Sequence, residues 1–83
     1  MKTADRIKEG DRIEVSFYDE DGFEAGKTEL TNVHTLDDAA VAAYEKLALP
    51  KPIEDYSMRI SNLTQHTYAN YRINAHGHIK LEV

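Results

Sequence analysis

Hydrophobic side chains recur at every second position in four separate stretches of this chain, and at helical spacing in one. The alternating stretches are Ile13, Val15, Phe17; Tyr56, Met58, Ile60; Ala69, Tyr71, Ile73; and Ile79, Leu81, Val83. Successive side chains of a β-strand point to opposite faces, so this alternation buries one face and leaves the other in water. The helical stretch starts at Thr35-Leu36-Asp37-Asp38. Thr35 suits an N-cap, the two aspartates suit the positive end of the helix dipole, and Pro50 and Pro52 end the element. Leu36, Ala40, Ala43, Tyr44 and Leu47 form its apolar stripe. The alanines Ala39, Ala40, Ala42 and Ala43 keep that surface thin, so the helix can pack close onto a sheet.

A fifth strand follows from turn chemistry. Asp19-Glu20-Asp21-Gly22 reads as a hairpin turn, with Asp21-Gly22 as the central pair of a type I′ turn in which both residues take positive φ. That choice sets Ile13 opposite Leu30, Val15 opposite Thr28 and Phe17 opposite Gly26, which makes one apolar face. It also sets Glu14 opposite Glu29, and like charges placed so should repel. Removing either carboxylate is then expected to relieve the sheet. A three-residue loop Ala75-His76-Gly77, with Gly77 left-handed, joins the last two strands and puts Ile73 opposite Ile79.

The expected architecture is therefore α+β, an antiparallel sheet of about five strands with one helix packed on one face, in the order ββαβββ. Residues 1–10 read as a turn or frayed helix stopped by Gly10. The expected core is Ile13, Val15, Phe17, Leu30, Leu36, Ala40, Leu47, Met58, Ile60, Tyr71, Ile73, Ile79 and Leu81. At 83 residues there is room for one domain, residues 1–83, and no second core. Periodicity leaves the order of strands in the sheet open.

The chain has no cysteine, which excludes disulfides, a thiolate nucleophile and thiolate-ligated zinc. With no apolar run at Met1-Lys2-Thr3-Ala4-Asp5-Arg6 and no long apolar segment, neither a signal peptide nor a membrane span is expected. The expected setting is the cytoplasm.

Charge is unevenly spread. The net charge is −5, yet residues 9–55 hold 13 acidic and 4 basic residues, while both ends are basic. An acidic front half repels phosphates, so no direct nucleic-acid contact is expected there, and a basic protein partner is. Side chains on one strand face repeat about every 6.6–6.8 Å, near twice the axial rise per phosphate on one DNA strand, so an acidic strand face could imitate nucleic acid.

No catalytic set converges. Ser57, Ser61 and Thr64 lack an adjacent His–Asp arrangement, no glycine loop of the nucleotide-binding kind occurs, and the chain reads as a non-enzyme. Asp19, Glu20, Asp21 and Glu24 lack the twelve-residue spacing of a calcium loop. His76 and His78, with His34 and His66, have no spacing that fixes a metal, so neither metal nor cofactor is expected. Asn62-Leu63-Thr64 matches a glycosylation sequence that a cytoplasmic protein would not use. Tyr18 and Tyr68 fall on outward faces, where tyrosine favours interfaces. Tyr68, Asn70, Arg72 and Lys80 could together meet single-stranded nucleic acid by stacking and charge.

In size, acidity, lack of cysteine and a one-helix antiparallel sheet, with Glu14, Asp19, Glu20, Asp21, Glu24 and Glu29 on a hairpin, the chain resembles the small phage-encoded anti-CRISPR inhibitor proteins. The resemblance implies a non-enzymatic inhibitor that occupies a nucleic-acid-binding groove on a CRISPR effector in the host-cell cytoplasm. The partner-binding residues expected are those six carboxylates and Tyr18. A second reading is a small regulatory or accessory domain that self-associates, as a homodimer, through a sheet edge.

Overall fold

The computed structural model describes residues 7–73 and 79–81. Two strands, β1 (Ile13–Tyr18) and β2 (Glu24–Leu30), precede the helix α1 (Leu36–Leu47). A 3₁₀ turn (Ile53–Asp55) leads into β3 (Ser57–Asn62), β4 (Thr67–Ile73) and β5 (Ile79–Leu81). All pairings are antiparallel, and the strands lie in the order β2-β1-β3-β4-β5. The fold is the expected α+β arrangement of one helix on a five-stranded sheet.

The chain returns from the helix to the free side of β1, which makes β1 an interior strand. Ile13, Val15 and Phe17 are fully buried there, paired with Leu30, Thr28 and Gly26 on one side and Asn62, Ile60 and Met58 on the other. The expected register across the first hairpin is thus present. Its turn is not the expected one. Gly22 has φ +85, but Asp21 does not take positive φ. The turn spans Asp19–Gly22, closed by Gly22 N–H donating to the Asp19 carbonyl at 3.0 Å, and a bulge beyond Phe17 brings the ladder back into step. One left-handed glycine followed by a bulge matches strand twist as well as a type I′ turn, without forcing an aspartate to positive φ.

Thr35 caps the helix, its hydroxyl accepting from Asp38 N–H at 3.0 Å. The helix closes on Ala48, which is left-handed at φ 52 and donates its N–H to the carbonyls of Tyr44 and Glu45. Leu36, Ala39, Ala40 and Ala43 are its buried residues, so alanine is the material of the helix–sheet contact. The helix reaches from β5, where Asp37 accepts the Ile79 N–H at 3.0 Å, to β2. At the β2 end a Cβ on Gly26 would stand 3.1 Å from Leu47 Cδ1, so the absent side chain lets the helix end come down on the strand.

Four expected core positions need qualifying. Leu30, Leu47 and Ile79 are only half-buried, and the side chain of Leu81 lies outside the described residues. Leu30 and Ile79 lie on the two edge strands, and Leu47 lies at the exposed end of the helix. Val33, Ala39, Ala43 and Tyr56 complete the core instead. Phe17 meets both Tyr56 and Tyr44 edge-on, with ring centroids 5.9 and 6.3 Å apart. Tyr44 Oη donates to the Lys51 carbonyl at 2.6 Å, and Lys51 N–H donates to Tyr56 Oη at 3.2 Å. Both hydroxyls are thereby satisfied, and the segment after the helix is tied down beside the hairpin. The Ala75-His76-Gly77 loop and residues 1–6 of the N-terminal segment lie outside the described residues. Gly10 does end a turn, at φ +86, with Asp11 N–H on the Lys8 carbonyl at 3.0 Å.

Candidate functional site

The seven expected partner-binding residues divide between two places. Glu14, Tyr18 and Glu29 lie on the face of the sheet opposite the helix, with Glu24 paired to Tyr18 at its margin. Asp19, Glu20 and Asp21 make the hairpin tip beyond it.

On the open face Glu29 is neutralised locally. Arg12 Nε and Nη2 donate to its two carboxylate oxygens at 2.8 and 3.1 Å. That pairing holds the Glu29 carboxyl below the usual carboxylate range and raises the Arg12 guanidinium. It also answers the repulsion expected between Glu14 and Glu29, because the arginine stands on the same face. Lys27 occupies the next position of that face along β2, so the carboxylates form no ladder along a strand.

At the tip, one carboxylate works inward. Asp19 Oδ1 accepts the N–H groups of Asp21 and Phe23 at 3.0 and 2.9 Å, while Asp19 N–H donates to the Phe23 carbonyl at 2.9 Å. These bonds give the loop one shape. The loop presents Glu20 and Asp21 to solvent, with Glu24 on the strand just after it. Lys51 Nζ reaches Glu20 at 3.8 Å across an exposed gap, and Glu54 and Asp55 follow in the adjacent 3₁₀ turn. In the midst of these charges Phe23 is 70% exposed, the most exposed large hydrophobic residue among those described.

Phe23 is the residue that reading the sequence missed. It stands one place after Gly22, where hairpin residues pass from turn to strand, and parity does not say whether such a side chain reaches the core. The carboxylates close to it on both sides are the visible hint.

No protein-family model, no curated protein and no solved structure matches this chain. The site therefore rests on its own geometry.

A second cluster is structural. Asp11 Oδ2 accepts from Lys8 N–H at 2.9 Å, Asn62 Nδ2 at 2.8 Å and Gln65 Nε2 at 2.7 Å. Asn62 is only 1% exposed, so the asparagine of the glycosylation sequence spends its amide on tying the β3–β4 loop to the start of β1. Asn62 above all, then the Lys8 N–H, hold the Asp11 carboxyl below its ordinary range, against the effect of burial. Among the described residues no three His, Asp or Glu side chains stand together as a metal site, and no helix is long and apolar enough to cross a membrane. His76 and His78 lie outside the described residues.

Proposed function

We propose that the chain is a non-enzymatic binding protein that docks the tip of its first hairpin onto a basic protein surface, with Phe23 as the apolar anchor. The exposed Phe23 ring among Glu20, Asp21 and Glu24 carries this reading. Aromatic residues dominate interface energetics when they enter a pocket, and flanking charges speed and orient the encounter. The Asp19 hydrogen bonds hold the loop in shape before binding, which lowers the entropy lost on docking. A basic nucleic-acid-binding protein suits this charge, and blocking its groove is the action proposed. The likeness to anti-CRISPR inhibitors makes a CRISPR effector complex in the cytoplasm the first partner to test.

The test is capture from a bacterial lysate by wild type, with identification of the bound protein and measurement of its affinity. Phe23→Ala and the charge-reversed Glu20→Lys/Asp21→Lys pair should each weaken binding by about tenfold or more, and wild-type affinity should fall with salt. A partner held equally well by both variants would refute the docking role of the tip.

The position of β2 at the sheet edge favours the alternative of self-association, since an edge strand leaves backbone donors and acceptors unpaired. That reading expects a dimer whose affinity depends weakly on salt and is lost on Lys27→Pro.

A further inference from the structure

Among the described residues, the carboxylates of the open face all lie on β1 and β2, and none lies on β3, β4 or β5. On β1 and β2 this face holds Glu14, Glu24 and Glu29, with Lys27 between the last two and Arg12 paired to Glu29 just before β1. On β3, β4 and β5 its described positions hold Arg59, Tyr68, Asn70, Arg72 and Lys80, with serines between them and no carboxylate. This strip gathers on one surface the basic residues of the C-terminal part of a chain whose net charge is −5.

Within the strip, Tyr68 is 60% exposed although it sits on a paired strand. The Arg59 guanidinium lies 5.1 Å from the centre of its ring, and Arg59 Nε donates to Asn70 Oδ1 at 3.3 Å. The ring is thus held beside a fixed positive charge instead of turning freely. A shallow depression of about 290 Å³ opens on the same face, bounded by Tyr18, Ser57, Arg59 and Asn70. Lys80 extends the positive charge along the face, paired across the ladder from Arg72.

We propose that this half of the face binds single-stranded nucleic acid, with a base stacked on Tyr68 and phosphates beside Arg59 and Lys80. Stacking on an exposed aromatic ring backed by cations is the general means by which sheet surfaces hold single strands without reading sequence. A duplex offers no free base face to Tyr68, and an acidic peptide offers charge without a ring. The expectation that nucleic acid is avoided rests on the acidic residues 9–55, and this strip lies outside them. The overall negative charge keeps the affinity modest, with a Kd on the order of 10–100 µM at low salt.

The proposal is independent of the hairpin reading, and the test separates them. Fluorescence anisotropy is measured with a labelled oligothymidylate or oligouridylate of about twelve nucleotides, long enough to cover one such face. A duplex of the same length and a polyglutamate peptide serve as competitors. The single strand should bind, and Tyr68→Ala should weaken it about tenfold while leaving the urea midpoint unchanged. Arg59→Gln should reduce the log–log slope of affinity against salt by about 0.7, the value for one phosphate that is no longer neutralised. Phe23→Ala should bind the strand like wild type. Absence of binding at low salt, equal competition by duplex or polyglutamate, or a Tyr68→Ala variant with wild-type affinity would each overturn the proposal.

Discussion

Arg12 lies against Glu29, its Nε and Nη2 on the two carboxylate oxygens, while Glu14 faces Glu29 directly across the ladder. The two glutamates, identical by strand position, are therefore unequal. Glu29→Gln should lower the urea midpoint, because Arg12 loses its bidentate partner, and the loss should shrink in high salt. Glu14→Gln should leave the midpoint unchanged or raise it slightly. Finding Glu29→Gln the more stable of the two would mean that the arginine does not compensate the pair.

Asp11 and Glu29 both have carboxyl groups held below their ordinary range. A carboxyl depressed in the folded state contributes stability above its unfolded pKa of about 4, and that contribution is lost as pH falls through the folded value. Asp11→Asn should therefore lower the midpoint at neutral pH and flatten its decline below about pH 4. Urea titrations from neutral to acid pH read this directly, and an acid limb identical to wild type would disconnect the cluster from stability.

The packing of helix on sheet sets expectations of different origin for three substitutions. Ile60 is fully buried, and Ile60→Ala should cost about 2–5 kcal/mol through the cavity it leaves. Ala43 is also fully buried, and Ala43→Leu should cost about 1–3 kcal/mol because there is no space for the added carbons. Leu47→Ala, at a half-buried site, should cost less than Ile60→Ala. Chemical denaturation ranks all three. A neutral Ala43→Leu would show that the helix can ride outward.

The helix ends on a left-handed alanine, and its start depends on one hydroxyl. Ala48→Gly should stabilise by about 1 kcal/mol, since glycine enters that conformation without the Cβ clash. Thr35→Ala should destabilise by about 1 kcal/mol through loss of the cap to Asp38. Thermal melts of the two variants should move in opposite directions, and a lowered melting point for Ala48→Gly would count against the strain.

Much of the fold was legible because it depends on local alternation. Ile13, Val15 and Phe17 declare an inward face at period two, and the same rule places Met58, Ile60, Tyr71 and Ile73. Thr35 and the prolines bracket the helix. The hairpin register followed from requiring apolar residues to meet, although the turn that delivers it differs from the one expected. Of the candidate site, the carboxylates were legible as composition. Phe23 was not, because parity does not say whether a ring at the junction of turn and strand reaches the core.

By itself the sequence determined the elements, their inward faces and the first register, since each depends on side chains a few positions apart. Only the tertiary structure decided that β3 lies against β1, that Arg12 answers Glu29, and that Asn62 reaches Asp11. Those contacts join residues far apart in the chain, and no local period specifies them. The same holds for the sorting of charge. Glu14 and Arg59 share one face of the sheet on neighbouring strands, yet they are 45 positions apart in sequence. The carboxylates of that face and the basic strip stand apart because the sheet order, set by burying the apolar faces together, places β1 and β2 on one side and β3 to β5 on the other.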